Sequence, residues 1–345
     1  MMGEPDEDRL IADSAAAFLE RAGGLDRVRR LRDGGGALDR ATWRGMADLG
    51  WIGVLVPQDA GGLGMTLREV AILLEAAGRW LPVEPLAGAI AAAAAIAQVR
   101  ADSPALAALL AGDAVVVPVE GAAVTEADGG LSGSTDVAAD VAAADAFLLV
   151  AGQGGDARLR LVPKAVAGLR VEAVRTVDGG SAGRLHLDGV RTADATALAE
   201  GEAAVAAART VMGIVRFAHA ACLVGLADEA LRRSVAYLNE RRQFGVPIGS
   251  FQALQHRAAT LYVRLSAARA LLHEAAQAAD PSAAGAAAKL VASETALLVT
   301  KESIQFHGAI GFTDEHPIGL YLRRAMAVAG AGGTTDACLD AFAGA

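Results

Sequence analysis

Toward the C-terminus three consecutive segments, residues 207–241, 252–278 and 281–306, repeat apolar residues at every third or fourth place. Each is long enough for roughly six or more helical turns. Leu254, Leu261, Leu265, Ala268 and Leu272 mark the stripe in the second. Long antiparallel helices of this kind bury their stripes against one another, which predicts a bundle.

Between residues 113 and 198 the helical period gives way to β-branched runs punctuated by glycines, such as Ala114-Val115-Val116-Val117, Phe147-Leu148-Leu149-Val150 and Leu159-Arg160-Leu161-Val162. They predict strands. Leu185-His186-Leu187-Asp188-Gly189-Val190 reads as an alternating strand entering an Asp-Gly turn, with His186 exposed. Upstream the helical period is present too. Trp43, Met46 and Leu49 share a face that stops at Gly50, and Val70, Leu73, Leu74 and Ala77 share one within residues 66–80. The predicted class is α+β: an N-terminal helical domain over residues 1–112, a middle β domain over 113–198, and a C-terminal four-helix bundle over 199–345.

With 345 residues, 53% of them hydrophobic, the chain can bury a large core in more than one lobe. A formal net charge of −9 argues against nucleic acid as a partner. Cys222 and Cys338 are too few for a disulfide framework and form no Cys-x-x-Cys pair, which fits a cytoplasmic protein. The acidic start Met1-Met2-Gly3-Glu4-Pro5-Asp6-Glu7-Asp8 does not read as a signal peptide. The Ala-rich run over residues 86–99 is too short to span a bilayer and reads as a buried helix, so no membrane partner is expected.

Arg241-Arg242-Gln243-Phe244-Gly245-Val246-Pro247-Ile248-Gly249-Ser250-Phe251-Gln252 joins the first two long helices through an Arg pair, a Gly-x-Pro break and a Gln. A guanidinium fork suits bidentate phosphate binding, and a Gly/Pro turn lets backbone approach a ligand. An Arg pair at a helix end also fits a solvated face or a partner for the helix dipole. This stretch resembles the C-terminal domain of the acyl-CoA dehydrogenases, flavoenzymes that oxidise the Cα–Cβ bond of acyl-CoA thioesters. Gln305-Phe306-His307-Gly308-Ala309-Ile310-Gly311-Phe312-Thr313-Asp314-Glu315-His316-Pro317 resembles the family's second cofactor segment. Trp51-Ile52-Gly53-Val54-Leu55-Val56-Pro57 with Gly61-Gly62-Leu63-Gly64 resembles its N-terminal helical domain. The three motifs stand in family order and take in nearly the whole chain.

The resemblance implies FAD lying between two subunits, with Arg241 on the diphosphate, Phe244 and Gln252 near the adenosine side, and Gln305, Gly308 and Gly311 in the second segment. Ala309 stands where the family usually has a glycine. The cradle under the flavin ring comes, in the family, from the β domain. Here its aromatic, β-branched and Thr run is replaced by Val137, Ala138 and Ala139, and its Thr-Glu strand by Val117-Pro118-Val119-Glu120-Gly121. Proline and small residues offer neither hydroxyl nor flat aromatic surface.

Removing an α-proton requires a carboxylate base. The family's Glu falls nine residues after the Arg of the last helix, and counting from Arg323 reaches Gly332, followed by Gly333-Thr334. The alternative family position, in the first long helix, falls in Val211-Met212-Gly213-Ile214-Val215-Arg216-Phe217, where Arg216 stands. Asp336, Glu229, Glu240 and Glu315 are the substitutes to weigh, and each has an ordinary structural role open to it. His219, His256, His273 and His307 show neither metal-ligand nor triad spacing, and His307 alone is close to a cofactor segment.

Two enzyme readings follow. One is a self-associating homotetramer with an atypical base. The other is half of a heterotetramer, in which a second acyl-CoA dehydrogenase subunit supplies cradle and Glu, acyl-CoA is the substrate, and electron-transfer flavoprotein is the acceptor. The tail Phe312-Thr313-Asp314-Glu315-His316-Pro317 resembles short subunits of heteromeric bacterial members, which implies a steroid side-chain CoA thioester. Outside enzymology the alternative is a non-catalytic acyl-CoA-binding or scaffold protein of the same fold.

Overall fold

The computed structural model describes residues 5–36, 38–121 and 123–344; residues 1–4 of the acidic start lie outside them. Helices come first: α1 (Pro5–Arg21), α2 (Gly24–Gly34), α3 (Arg40–Asp48), α4 (Leu67–Gly78), α5 (Leu86–Val99) and α6 (Pro104–Leu110). Strands follow: β1 (Val116–Gly121), β2 (Thr125–Ala127), β3 (Gly130–Ser134), β4 (Ala138–Ala139), β5 (Ala146–Ala151), β6 (Arg158–Pro163), β7 (Leu169–Arg175), β8 (Ser181–Arg191) and β9 (Thr196–Glu200). Then α7 (Gly201–Glu240), the short strands β10 (Arg242–Gln243) and β11 (Val246–Pro247), and α8 (Gln252–Ala275), α9 (Pro281–His307), α10 (Ile318–Gly330) and α11 (Thr335–Ala343) complete it. Helix starts are chemically marked. The side chains of Asp39, Ser103, Asp280 and Thr334 accept from the first free backbone N–H groups of α3, α6, α9 and α11.

By packing, the chain divides into two compact units: Met1–Arg30, Arg68–Pro82 and Arg216–Ala345 form one, Leu31–Leu67 and Val83–Val215 the other. The second unit holds both large sheets. One has the order β1-β5-β6-β9, with β1 parallel to β5; the other has the order β2-β3-β8-β4, with β7 also on β8. Pro118, which cannot donate to a ladder, sits in the edge strand β1. The Ala-rich α5 is buried as expected. Its composition lets it approach closely, since a Cβ on Gly88 would stand 3.0 Å from Pro118.

The Asp-Gly turn expected at residues 188–189 is not a turn. β8 runs straight through it, and pairing steps from Leu131↔Val190 to Gly133↔Leu187, so β8 carries one extra residue there. Gly189, at φ +63°, makes a β-bulge, which needs the same positive φ as a hairpin turn. His186 is on the strand as predicted, but half-buried rather than exposed. Its Nδ1 lies 3.1 Å from Ser134 Oγ and its Nε2 2.6 Å from a Glu172 oxygen, a cross-strand polar row over β3, β8 and β7. That hydrogen bond, with the imidazole's charge, holds the Glu172 carboxyl below its ordinary range.

In the first unit α9 packs against α8, α10 and α11. α4 and α7 meet backbone to backbone: a Cβ on Gly225 would stand 1.9 Å from the Glu75 carbonyl oxygen, and one on Gly78 2.4 Å from that of Cys222. Arg269 of α8 ties both, at 2.6 Å from Glu75 and 2.9 Å from Asp228, while Arg79 reaches Asp228 at 2.8 Å. Two helical stretches, Gly201–Glu240 and Pro281–Phe312, are long and apolar enough to cross a membrane by length and composition. Of their most apolar windows 83% and 56% are buried inside the fold.

Candidate functional site

The end of α7 turns into a two-residue hairpin. Arg242 pairs with Pro247 and Gln243 with Val246, leaving Phe244 (φ +52°) and Gly245 (φ +82°) at the tip. Positive φ at both central residues is the type I′ geometry that matches strand twist; Gly accepts it freely, Phe at some cost. Phe244 is 92% exposed and meets the ring of Phe251 edge-on, ring centroids 6.2 Å apart. The two arginines separate. Arg242 donates to Gly245 O at 3.0 Å and so braces its own turn. Arg241 is exposed, and among the described residues its guanidinium has no partner; its backbone N–H donates to Tyr237 O at 2.8 Å and its carbonyl accepts from Ile248 N–H at 2.8 Å. Gln252, the first residue of α8, is also exposed.

The second segment lies at the end of α9. Gln305 is exposed in the last turn, and Gly308, at φ +62°, ends the helix with open space where a Cβ would be. Gly311 differs. It is buried, and a Cβ there would come 2.7 Å from Ile304 O, so its need for glycine comes from internal packing. No hydrogen bond or ring contact among the described residues links Arg241 or Phe244 directly to Gln305, Gly308 or Gly311. Tyr237, which the motifs did not single out, bridges the segments: it stacks on His307 at 4.5 Å while its carbonyl holds Arg241. His316 closes the cluster 4.5 Å from His307. His307 Nδ1 lies 2.7 Å from Ser303 O, which calls for the proton on Nδ1. Burial holds both imidazoles below their ordinary pKa, and His316 is lowered further by His307, Arg233 and Arg29, so both are neutral at neutral pH. In the sequence His307 and His316 both stand within the second segment, but nothing there marks Tyr237 as their partner.

The two positions that the resemblance marks for a base are brought into contact. Arg216 Nε donates to Gly332 O at 2.9 Å. A guanidinium is not deprotonated in proteins, and glycine has no side chain. Nor is Gly332 a simple vacancy, because its φ of +71° is one that a Glu would take only with strain. Of the substitutes, Glu229 is buried with both oxygens clamped, by Arg232 at 2.6 and 2.7 Å and Arg233 at 2.7 Å. Asp336, Glu240 and Glu315 are exposed.

At the cradle positions, Val137 is 60% exposed and Ala138 and Ala139 form β4 against Gly183 and Ala182 of β8. The neighbouring hydroxyl, on Thr135, is occupied internally: it donates to Asp136 O at 2.9 Å and accepts from Leu185 N–H at 3.0 Å. The exposed Arg241 fork, the Phe244 face and the open Gly308 backbone fit the diphosphate and adenosine end of a flavin dinucleotide. The Val137–Ala139 stretch does not fit the ring, for lack of a side-chain donor or an aromatic plane.

The chain matches the family "Acyl-CoA dehydrogenase, N-terminal domain" over residues 5–101 and "Acyl-CoA dehydrogenase, C-terminal domain" over residues 204–344. It is similar to Acyl-CoA dehydrogenase IpdE2 of Mycobacterium tuberculosis, 32% identical over 326 residues, which take in 94% of this chain and 92% of the relative. Among solved structures it resembles a Tcur3481-Tcur3483 steroid ACAD variant with a TM-score of 0.85 and 29% identity, over 98% of this chain and 97% of that one. The ChsE4-ChsE5 complex from Mycobacterium tuberculosis matches with a TM-score of 0.86 and 26% identity, over 96% and 94%.

Proposed function

The chain belongs to the acyl-CoA dehydrogenase family, FAD-dependent oxidoreductases acting on the CH–CH bond of acyl-CoA, and from that premise we propose that it is the baseless subunit of a two-chain member. The carrying observation is the contact of Arg216 with Gly332, which fills both base positions with groups that cannot take a proton. A partner chain then supplies the carboxylate and the ring cradle, and this chain lends its C-terminal arm. FAD, when bound, supplies the hydride acceptor. Arg241 is assigned to the diphosphate, Phe244 and Gln252 to the adenosine side, and the end of α9 with Gln305, Gly308 and Gly311 to the adjoining polar edge.

A heteromeric assembly is supported by the paired names Tcur3481-Tcur3483 and ChsE4-ChsE5, and a steroid-derived acyl-CoA by the words "steroid ACAD" in the first. Electron-transfer flavoprotein is the proposed acceptor by family resemblance, and the cytoplasm the proposed compartment, in keeping with two free cysteines.

The arm is tested by flavin retention. A charge-assisted bond to phosphate is worth ~1.5–3 kcal/mol, so Arg241→Ala is expected to weaken FAD binding by the co-purified assembly roughly ten- to a hundredfold. Val137→Ala, in the stretch that does not fit the ring, should leave it unchanged. Unaltered FAD affinity in the Arg241 variant, measured by fluorescence titration, would refute the assignment.

A further inference from the structure

Where α7 meets the link between α10 and α11, positive charge is gathered without negative charge. Arg216 is 9% exposed and Lys289 1% exposed. Their partners are neutral oxygens: Gly332 O for Arg216 Nε, and Ser293 Oγ and Ala329 O, at 3.1 and 3.0 Å, for Lys289 Nζ. Among the described residues no carboxylate pairs with either cation. The electrostatics agree. Burial, and then Arg216, push the Lys289 ammonium down to about 8, partly opposed by Cys338. Burial, Lys289 and Arg324 pull His219 down to about 3, so it stays neutral; its buried Nδ1 has no hydrogen-bond partner among the described residues.

Buried cations that lack a counter-ion raise the free energy of the fold, and a bound anion offsets that cost. Arg216 uses only Nε; its remaining N–H groups make no hydrogen bond among the described residues and, not being among the sealed unpartnered atoms, keep some solvent access. The facing link is nearly free of side chains. A Cβ on Gly333 would stand 3.6 Å from Arg216 Nη2, and one on Gly330 would meet nothing within 4 Å. A planar fork with free N–H groups, backed by a second cation and faced by glycines, is the complement of a carboxylate.

We propose that Arg216, backed by Lys289, binds the carboxylate of a small-molecule ligand in front of the glycine link. A carboxylate of this kind has two sources, a free dicarboxylate or the far end of a dicarboxylic acyl-CoA. Three probes separate them: glutarate, glutaryl-CoA, and pentanoyl-CoA, which matches glutaryl-CoA in length but has no second charge.

The test is calorimetric titration of the full chain in the assembly it forms when co-purified. Glutaryl-CoA is expected to bind roughly ten- to a hundredfold more tightly than pentanoyl-CoA, and Arg216→Met to abolish that difference. Arg216→Lys keeps the charge without the fork and should lose most of it. Binding of glutarate alone, lost in Arg216→Met, identifies the free dicarboxylate as sufficient. Equal affinity of the wild-type assembly for glutaryl-CoA and pentanoyl-CoA, together with no Arg216-dependent binding of glutarate, overturns the proposal whether or not the variants fold. The two-chain reading is independent of that outcome, because it is judged on flavin content.

Discussion

Purified alone, supplied with FAD and an artificial electron acceptor, the chain is expected to oxidise short, long and steroid CoA thioesters at least ~10²–10⁴-fold more slowly than the two-chain assembly, the usual effect of losing a general base, to which the missing ring cradle adds. The expectation rests on geometry as well as on missing residues. Arg216 holds the Gly332 carbonyl at 2.9 Å, so the place where a base would stand carries a fixed positive charge. Glu229 is sequestered by Arg232 and Arg233. Restoring a carboxylate is not a one-residue repair, since Gly332 lies at φ +71°. Steady-state rates for the lone chain within a few-fold of the assembly would mean that another group serves as base.

The second large effect is on stability. Gly225→Ala is expected to cost about 3 kcal/mol, the upper end of ordinary overpacking, because the new methyl would stand 1.9 Å from the Glu75 carbonyl oxygen. Backbone cannot yield there as a flexible side chain would, and the reciprocal approach of Gly78 to Cys222 O closes the other side of the crossing. At roughly 2–4 °C per kcal/mol for a large domain, the melting temperature should fall by about 6–12 °C. Gly34→Ala is the control: it is helical with nothing within 4 Å, and should stabilise slightly. An unshifted melting curve for Gly225→Ala would show that the two helices can separate at no cost.

That crossing also shows where reading the sequence stops. Apolar periodicity locates α8 and α9 to within about three residues and α7 to within about six, because a stripe that must be buried leaves a regular trace. Gly225 leaves no such trace, since the reason for it is a carbonyl on a helix far away in sequence. Asp188-Gly189 carried a true local signal, positive φ, but a bulge and a turn share it, and only the pairing of β8 with β3 separates them.

The candidate site divides the same way. Arg241, Phe244 and Gln252 are legible as a motif, and its register already points to Arg241 for the diphosphate; the hairpin adds a physical ground for that choice, by engaging Arg242 with Gly245 O. Tyr237 was invisible because it acts through a ring stacked on His307, from another helix. Arg216 and Gly332 both read in the sequence as losses. That they are one place, a buried cation seated on a carbonyl, is a tertiary fact.

The most direct test of the two-chain account is the ratio of FAD to polypeptide in the assembly purified with its partner. Absorbance of the bound flavin, set against quantified chains, is expected to give one FAD for every two chains, with none retained by this chain on its own. A homo-oligomer of this chain holding one FAD per chain and turning over acyl-CoA would contradict the account.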